Sequence, residues 1–222
     1  MKNTLTTLPL APLLERLFED AAAISPLADS ALANVSAEEL ARLMQSRTDY
    51  ADFYTRLKNA PLAVSKETGR LLYILARSCG ARSIVEFGTS FGLSTLHLAA
   101  ALRDNGGGHL ITTEFEPSKA ARARAHLIAG GVADLVEIRE GDALRTLADG
   151  LPDRIDLLFL DGAKALYPDI LRLVEGRLRP GAMIVADNAD HSPDYLALVR
   201  APGHGYLSTP IGAEIELSQR IG

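Results

Sequence analysis

Two apolar runs in the sequence end in oxygen-bearing side chains. "IDLLFLDGAK" places Asp161 at the end of one run and Lys164 three residues on, and "AMIVADN" ends in Asp187 and Asn188. If the runs are neighbouring parallel strands, their carboxyl ends lie together and the three side chains converge. Two carboxylates and an amide oxygen suit a hard cation such as Mg²⁺, with water or substrate oxygens completing the shell. Cysteine and paired histidines are missing from the cluster, which argues against zinc. A dication beside Lys164 would disfavour its ammonium form and lower its pKa. Such a lysine is a candidate base for a hydroxyl, which the cation would also acidify directly. Singly, "DG" and "DN" are ordinary turn pairs and Lys164 an ordinary solvated residue. Their coincidence at two strand ends favours the metal.

A glycine loop adds a second site. "VEFGTSFGLSTL" has Glu86, Gly88 and Gly92 in an E-x-G-x-x-x-G spacing, which is not the dinucleotide G-x-G-x-x-G. Gly88 allows a tight turn, Gly92 is expected to let a ligand approach the helix start, and Ser94 offers a hydroxyl. Glu86 suits a ligand ammonium group. Glu114, ending "HLITTE", is placed to accept from ribose hydroxyls. Asp142, in "EGDAL", could accept from an adenine amino group. An amino-acid head, a ribose and an adenine are the parts of S-adenosylmethionine (SAM).

These residues need a scaffold that brings strand ends together. From Arg82 onward, short apolar runs alternate with amphipathic stretches, the pattern of a parallel sheet covered on both faces. The tail, "GYLSTPIGAEIELSQRIG", reads as a β-hairpin, antiparallel at one edge. Residues 1–60 read as a helical extension before a main domain of residues 61–222. Its segments are "PLLERLFEDAAAIS", "SAEELARLMQ" with a capping-box pattern at Ser36 and Glu39, and "TDYADFYTRLKN". A further helix is expected from Ser65 to about Gly80.

The chain has 222 residues, 47% hydrophobic and 23% charged, which fits a soluble domain with a sizeable core. A net charge of −5 without a basic stripe speaks against nucleic acid as a partner. One cysteine, Cys79, excludes an internal disulfide. No signal-peptide pattern or membrane-length apolar run is visible, so a cytoplasmic location without membrane insertion is expected.

With these motifs in view, the chain resembles the metal-dependent class I SAM O-methyltransferases, the family of the catechol and caffeoyl-CoA O-methyltransferases. The resemblance runs from about Val64 to the C-terminus and rests on "VEFGTSFGLST", "LFLDGAK" and "VADN" in that order. It implies a Rossmann-like α/β fold, with a seven-stranded, mostly parallel sheet and a reversed final strand. It implies that Asp161, Asp187 and Asn188 hold the cation and that Lys164 is the base. Val64, Glu86, Gly88, Ser94, Glu114, Asp142, Ala143 and Asp161 would line the cofactor site. It also implies that the helical extension lids the pocket and forms a homodimer contact. The expected activity is methyl transfer to a hydroxyl of a small phenolic substrate with vicinal oxygens.

The chain departs from the family in three places. It has no tryptophan, it has Gly162-Ala163 between aspartate and lysine, and "APGHGYLSTPIG" shows no acid matching the one that holds a second catechol hydroxyl in the animal enzymes. His191 is a candidate substrate contact or a surface residue, and His97 is expected to pack within a helix. The rivals are a metal-independent methyltransferase, a non-catalytic module that binds the cofactor or a protein partner, and a nicotinamide-dependent oxidoreductase, which the glycine spacing disfavours.

Overall fold

The computed structural model describes residues 3–24 and 35–222. Four helices come first: α1 (Leu10–Ala22), α2 (Ala37–Met44), α3 (Tyr50–Arg56) and α4 (Lys66–Ser78). The apolar runs then form β1 (Ser83–Phe87), β2 (His109–Glu114), β3 (Val136–Glu140), β4 (Ile155–Leu160) and β5 (Leu178–Ala186), all parallel. Between and after them lie α5 (Leu93–Asp104), α6 (Pro117–Ala129), α7 (Ala143–Thr146), α8 (Tyr167–Val174) and α9 (Pro193–Arg200). The tail is the expected hairpin, β6 (Tyr206–Ile211) and β7 (Ile215–Arg220), with β7 antiparallel to β5.

The seven strands lie in the order β3-β2-β1-β4-β5-β7-β6. The chain builds outward from β1 to β3, then crosses back to lay β4 on the other side of β1. That reversal opens a crevice beyond the carboxyl ends of β1 and β4, where ligands of such sheets bind. The seven-stranded α/β fold read from the sequence is therefore the fold observed.

Successive strand residues face opposite sides of the sheet. Ile84, Leu157, Phe159 and Val185 enter one core with residues of α1, α4 and α5, while Val85, Leu158, Leu160 and Ile184 enter the other with α8 and α9. Both faces are covered, which is why these strands show no polar alternation. Each fully buried Leu, Ile or Phe contributes about 1.5–3 kcal/mol.

The first four helices follow their sequence signals with adjustments. Leu10, Leu13, Leu14 and Leu17 of α1 are buried at helical spacing and join the core that also holds β1. Leu43, Phe53, Leu57 and Ala60 instead form a small cluster of their own around α2 and α3. The Ser36 hydroxyl accepts from the Glu39 amide at 3.1 Å, but the Glu39 carboxylate pairs with Arg42, so half of the expected capping box forms. Ser65 caps α4 by accepting from the Thr68 amide at 2.9 Å. The helical reading of residues 25–34 lies outside the described residues. Among the described residues, no helix is long and apolar enough to cross a membrane.

Candidate active site

The loops after β1 and β4 lock into each other. Gly88 has φ +101°, and a Cβ there would lie 2.6 Å from the Asp161 carbonyl oxygen. A Cβ on Gly162 would lie 2.5 Å from the Phe87 ring. Between them, the Asp161 amide donates to the Phe87 carbonyl at 2.8 Å. Only glycine fits either position while the two loops touch. Gly92 differs from its expectation. It turns the chain at φ +84°, but its open side faces Ala123 of α6 at 3.3 Å, so it brings two helices together and does not line the cleft.

The crevice is a cleft with about 860 Å³ of empty space, partly open to solvent. Seven of the residues expected to hold a cofactor line it: Val64, Gly88, Ser94, Glu114, Asp142, Ala143 and Asp161. Glu114 is anchored by two amides, Ser90 donating to Oε2 at 2.8 Å and Glu116 to Oε1 at 3.0 Å. Asp142 caps α7, its Oδ1 accepting from the Leu144 amide at 2.9 Å. Glu86 lies one residue before the lining, fully buried, with Oε2 accepting from the Thr95 hydroxyl at 2.6 Å. Its Oε1 has no partner among the described residues, and burial pushes its carboxyl up to about 7. An orphaned buried acceptor, an anchored carboxylate and small apolar walls fit a ligand with amino and hydroxyl donors.

The second cluster forms as the register dictates. Leu160 pairs with Ala186 across β4 and β5, so Asp161 and Asp187 are the next residues on adjacent strands. Burial, and then the Asp161 charge, push Asp187 up to about 7. Asn188 follows in the left-handed region at φ +49°. Lys164 Nζ donates to Asp161 Oδ1 at 2.7 Å and to the Tyr167 hydroxyl at 2.8 Å, and Tyr167 donates to the Asp187 carbonyl at 2.8 Å. Burial works against the Lys164 charge, but Asp161, Tyr167 and Tyr54 outweigh it and hold its pKa well above the ordinary value. The expected lowering presumes a dication nearby; the protein's own charges act the other way. Asp161 reaches the cleft, whereas Lys164, Asp187 and Asn188 stand behind its lining. Two mutually repelling carboxylates and an amide fit a hard cation by ligand type. Among the described residues, no three His, Cys, Asp or Glu side chains gather as a metal site; the expected set has only two, its third member being an amide.

Several cleft residues carried no sequence signal. Tyr50 and Tyr54 of α3 line the cleft from the helical extension, and Lys119 and Phe115 from the segment after β2. Glu214, in the β6–β7 turn, supplies an acid whose charge acts on Asp187, while its carbonyl accepts from the Ala189 amide at 2.8 Å. That acid lies two residues past the end of "APGHGYLSTPIG". His97 packs as expected, buried with Nδ1 2.8 Å from the Leu93 carbonyl oxygen. The side chain of His191 is 42% exposed beside Asp190.

Comparison with known proteins places this geometry. A family profile described as a methyltransferase domain matches residues 85–189. Over 130 residues the chain is 38% identical to a catechol O-methyltransferase of Niastella koreensis, covering 57% of this chain and 58% of the relative. The chain thus spans about three fifths of the length of that curated relative. The O-methyltransferase TomG from Streptomyces achromogenes, involved in tomaymycin synthesis and solved in complex with SAM, superposes with a TM-score of 0.65 at 29% identity, covering 94% of this chain and 99% of that one. An O-methyltransferase from Bacillus cereus in complex with SAH has the same fold, with a TM-score of 0.69 at 22% identity over 98% of this chain and 95% of that one.

Proposed function

We propose that the chain is a class I O-methyltransferase that transfers the methyl group of SAM to a hydroxyl of a small aromatic substrate with vicinal oxygens, held on a divalent cation such as Mg²⁺. The observation that carries the reading is the pairing of Leu160 with Ala186, which sets Asp187 beside Asp161, a residue of the cleft lining.

In this reading Glu114 accepts from the ribose and Asp142 from the adenine amino group. The free Oε1 of Glu86 accepts from the ammonium head, and Val64 and Ala143 wall the site. Asp161, Asp187 and Asn188 would hold the cation, which when bound lowers the pKa of a substrate hydroxyl. Lys164 is the proton acceptor, fixed by Tyr167. It accepts a proton only as the neutral amine, so the role requires that Asp161 no longer hold it as an ammonium. Tyr50 and Tyr54 give a flat ring an aromatic wall, and α3 lids the cleft. Methyl transfer is an in-line displacement, so holding the oxygen against the methyl and excluding water supply much of the acceleration.

The Lys164–Asp161 ion pair favours a second reading, a metal-independent methyltransferase, because it neutralises one expected metal ligand within the protein. Calorimetric titration with SAM and then Mg²⁺, followed by methyl transfer to a catechol panel with and without EDTA, separates the two. Full activity in EDTA, with no heat from Mg²⁺, rejects the cation. No binding of SAM rejects the cofactor.

A further inference from the structure

Lys119 has no part in the chemistry above, yet it occupies an unusual place. It stands in the first turn of α6, where a lysine ordinarily reaches water, but it is only 4% exposed and lines the cleft. Its Nζ lies 5.7 Å from the centre of the Phe91 ring. The charges of Glu114, Glu116 and Asp161 act on it, Nζ donates no hydrogen bond to any described residue, and burial lowers its pKa. An ammonium has three donors and no acceptor. Its acceptor has to come from the cleft.

Glu114 decides which acceptor fits. Each of its oxygens already holds one backbone amide, and its negative charge stands beside the ammonium. A ligand carboxylate here would be repelled by Glu114. A ribose hydroxyl suits both neighbours, since its O–H can donate to a carboxylate while its lone pairs accept from an ammonium. We propose that Lys119 positions the cofactor by donating a hydrogen bond to a ribose hydroxyl that itself donates to Glu114. This assignment rests on the SAM reading of the cleft.

The test is calorimetric binding of S-adenosylhomocysteine and of its 2′-deoxy and 3′-deoxy ribose analogues to the parent protein, Lys119→Met and Lys119→Gln. Methionine keeps the buried stem and drops the ammonium, and glutamine retains a donor. Lys119→Met should weaken S-adenosylhomocysteine binding by about 10- to 100-fold, the size of one hydrogen bond to a charged group. For the analogue lacking the contacted hydroxyl, the parent and Lys119→Met should bind alike. Lys119→Gln should recover part of the loss, and it carries the same comparison if Lys119→Met melts early. Parental affinity in Lys119→Met, or the same penalty with both analogues, overturns the assignment while leaving the cofactor in place. A parent protein that binds no S-adenosylhomocysteine removes the cofactor reading and this assignment together.

Discussion

Glu86→Gln should flatten the dependence of stability on pH in the ligand-free protein. Burial raises the Glu86 carboxyl from 4.5 to about 7. Between these values the folded chain keeps a proton that the unfolded chain releases. Its contribution is therefore full below about pH 4.5 and is lost as pH rises towards about 7. A difference of roughly 2.5 pKa units at about 1.4 kcal/mol each comes to about 3 kcal/mol. Glutamine carries no such proton. It does leave an amide donor near the Thr95 hydroxyl, an orphan costing about 1–3 kcal/mol, but that offset does not vary with pH. The slope is therefore the observable. In a chain of this size about 2–4 °C of Tm corresponds to each kcal/mol, so the gap between parent and variant should change by roughly 6–12 °C across the window. Asp187 drifts in the same direction in both proteins and cancels in the difference. Calorimetric melts at pH 5, 6, 7 and 8 make the measurement. Parallel profiles would refute the claim that Glu86 is buried with a displaced proton.

Asp187→Asn should stabilise the ligand-free protein near pH 8, because it removes a carboxylate that burial and Asp161 disfavour, and it should abolish any rise in Tm on adding Mg²⁺; a Mg²⁺ response equal to the parent's would count against the cation site. Lys164→Met should keep cofactor affinity but slow single-turnover methyl transfer by about 10²–10⁴-fold, with Lys164→Arg failing to rescue, since arginine stays protonated; parental rates would make Lys164 structural. Gly162→Ala drives a methyl into the Phe87 ring and should cost about 1–3 kcal/mol by urea melts, whereas an unchanged midpoint would mean that the two loops are not interlocked.

The sheet was legible because its strands are buried on both faces and so appear as uninterrupted apolar runs. β5 begins four residues before "AMIVADN" because Pro180-Gly181 reads as a turn, and the pairing with β4 is irregular there. α9 carries no clear helical signal, because Pro193 at its start and the polar "DHS" before it look like loop. The cleft lining was legible where a polar residue sits at or just past a strand end, as at Glu114, Asp142 and Asp161. It was not legible where a residue reaches the cleft by tertiary packing. Tyr50 and Tyr54 belong to a helix distant in sequence, and Lys119 looks like any lysine on an amphipathic helix. Gly92 shows the converse, a motif glycine whose open side serves a neighbouring helix.

The wall that carries Tyr50 and Tyr54 rests on four buried residues around α2 and α3, and the two partly buried tyrosines are its link to one of the two large cores of the sheet. Cooperative opening free energies follow such divisions, and segments with few buried contacts open well below the cost of global unfolding. The amides of α3 should therefore exchange with deuterium far faster than those of β1 or β4. In the proposed reading, opening of this one short helix would admit a substrate while the strands that carry the carboxylates stay folded.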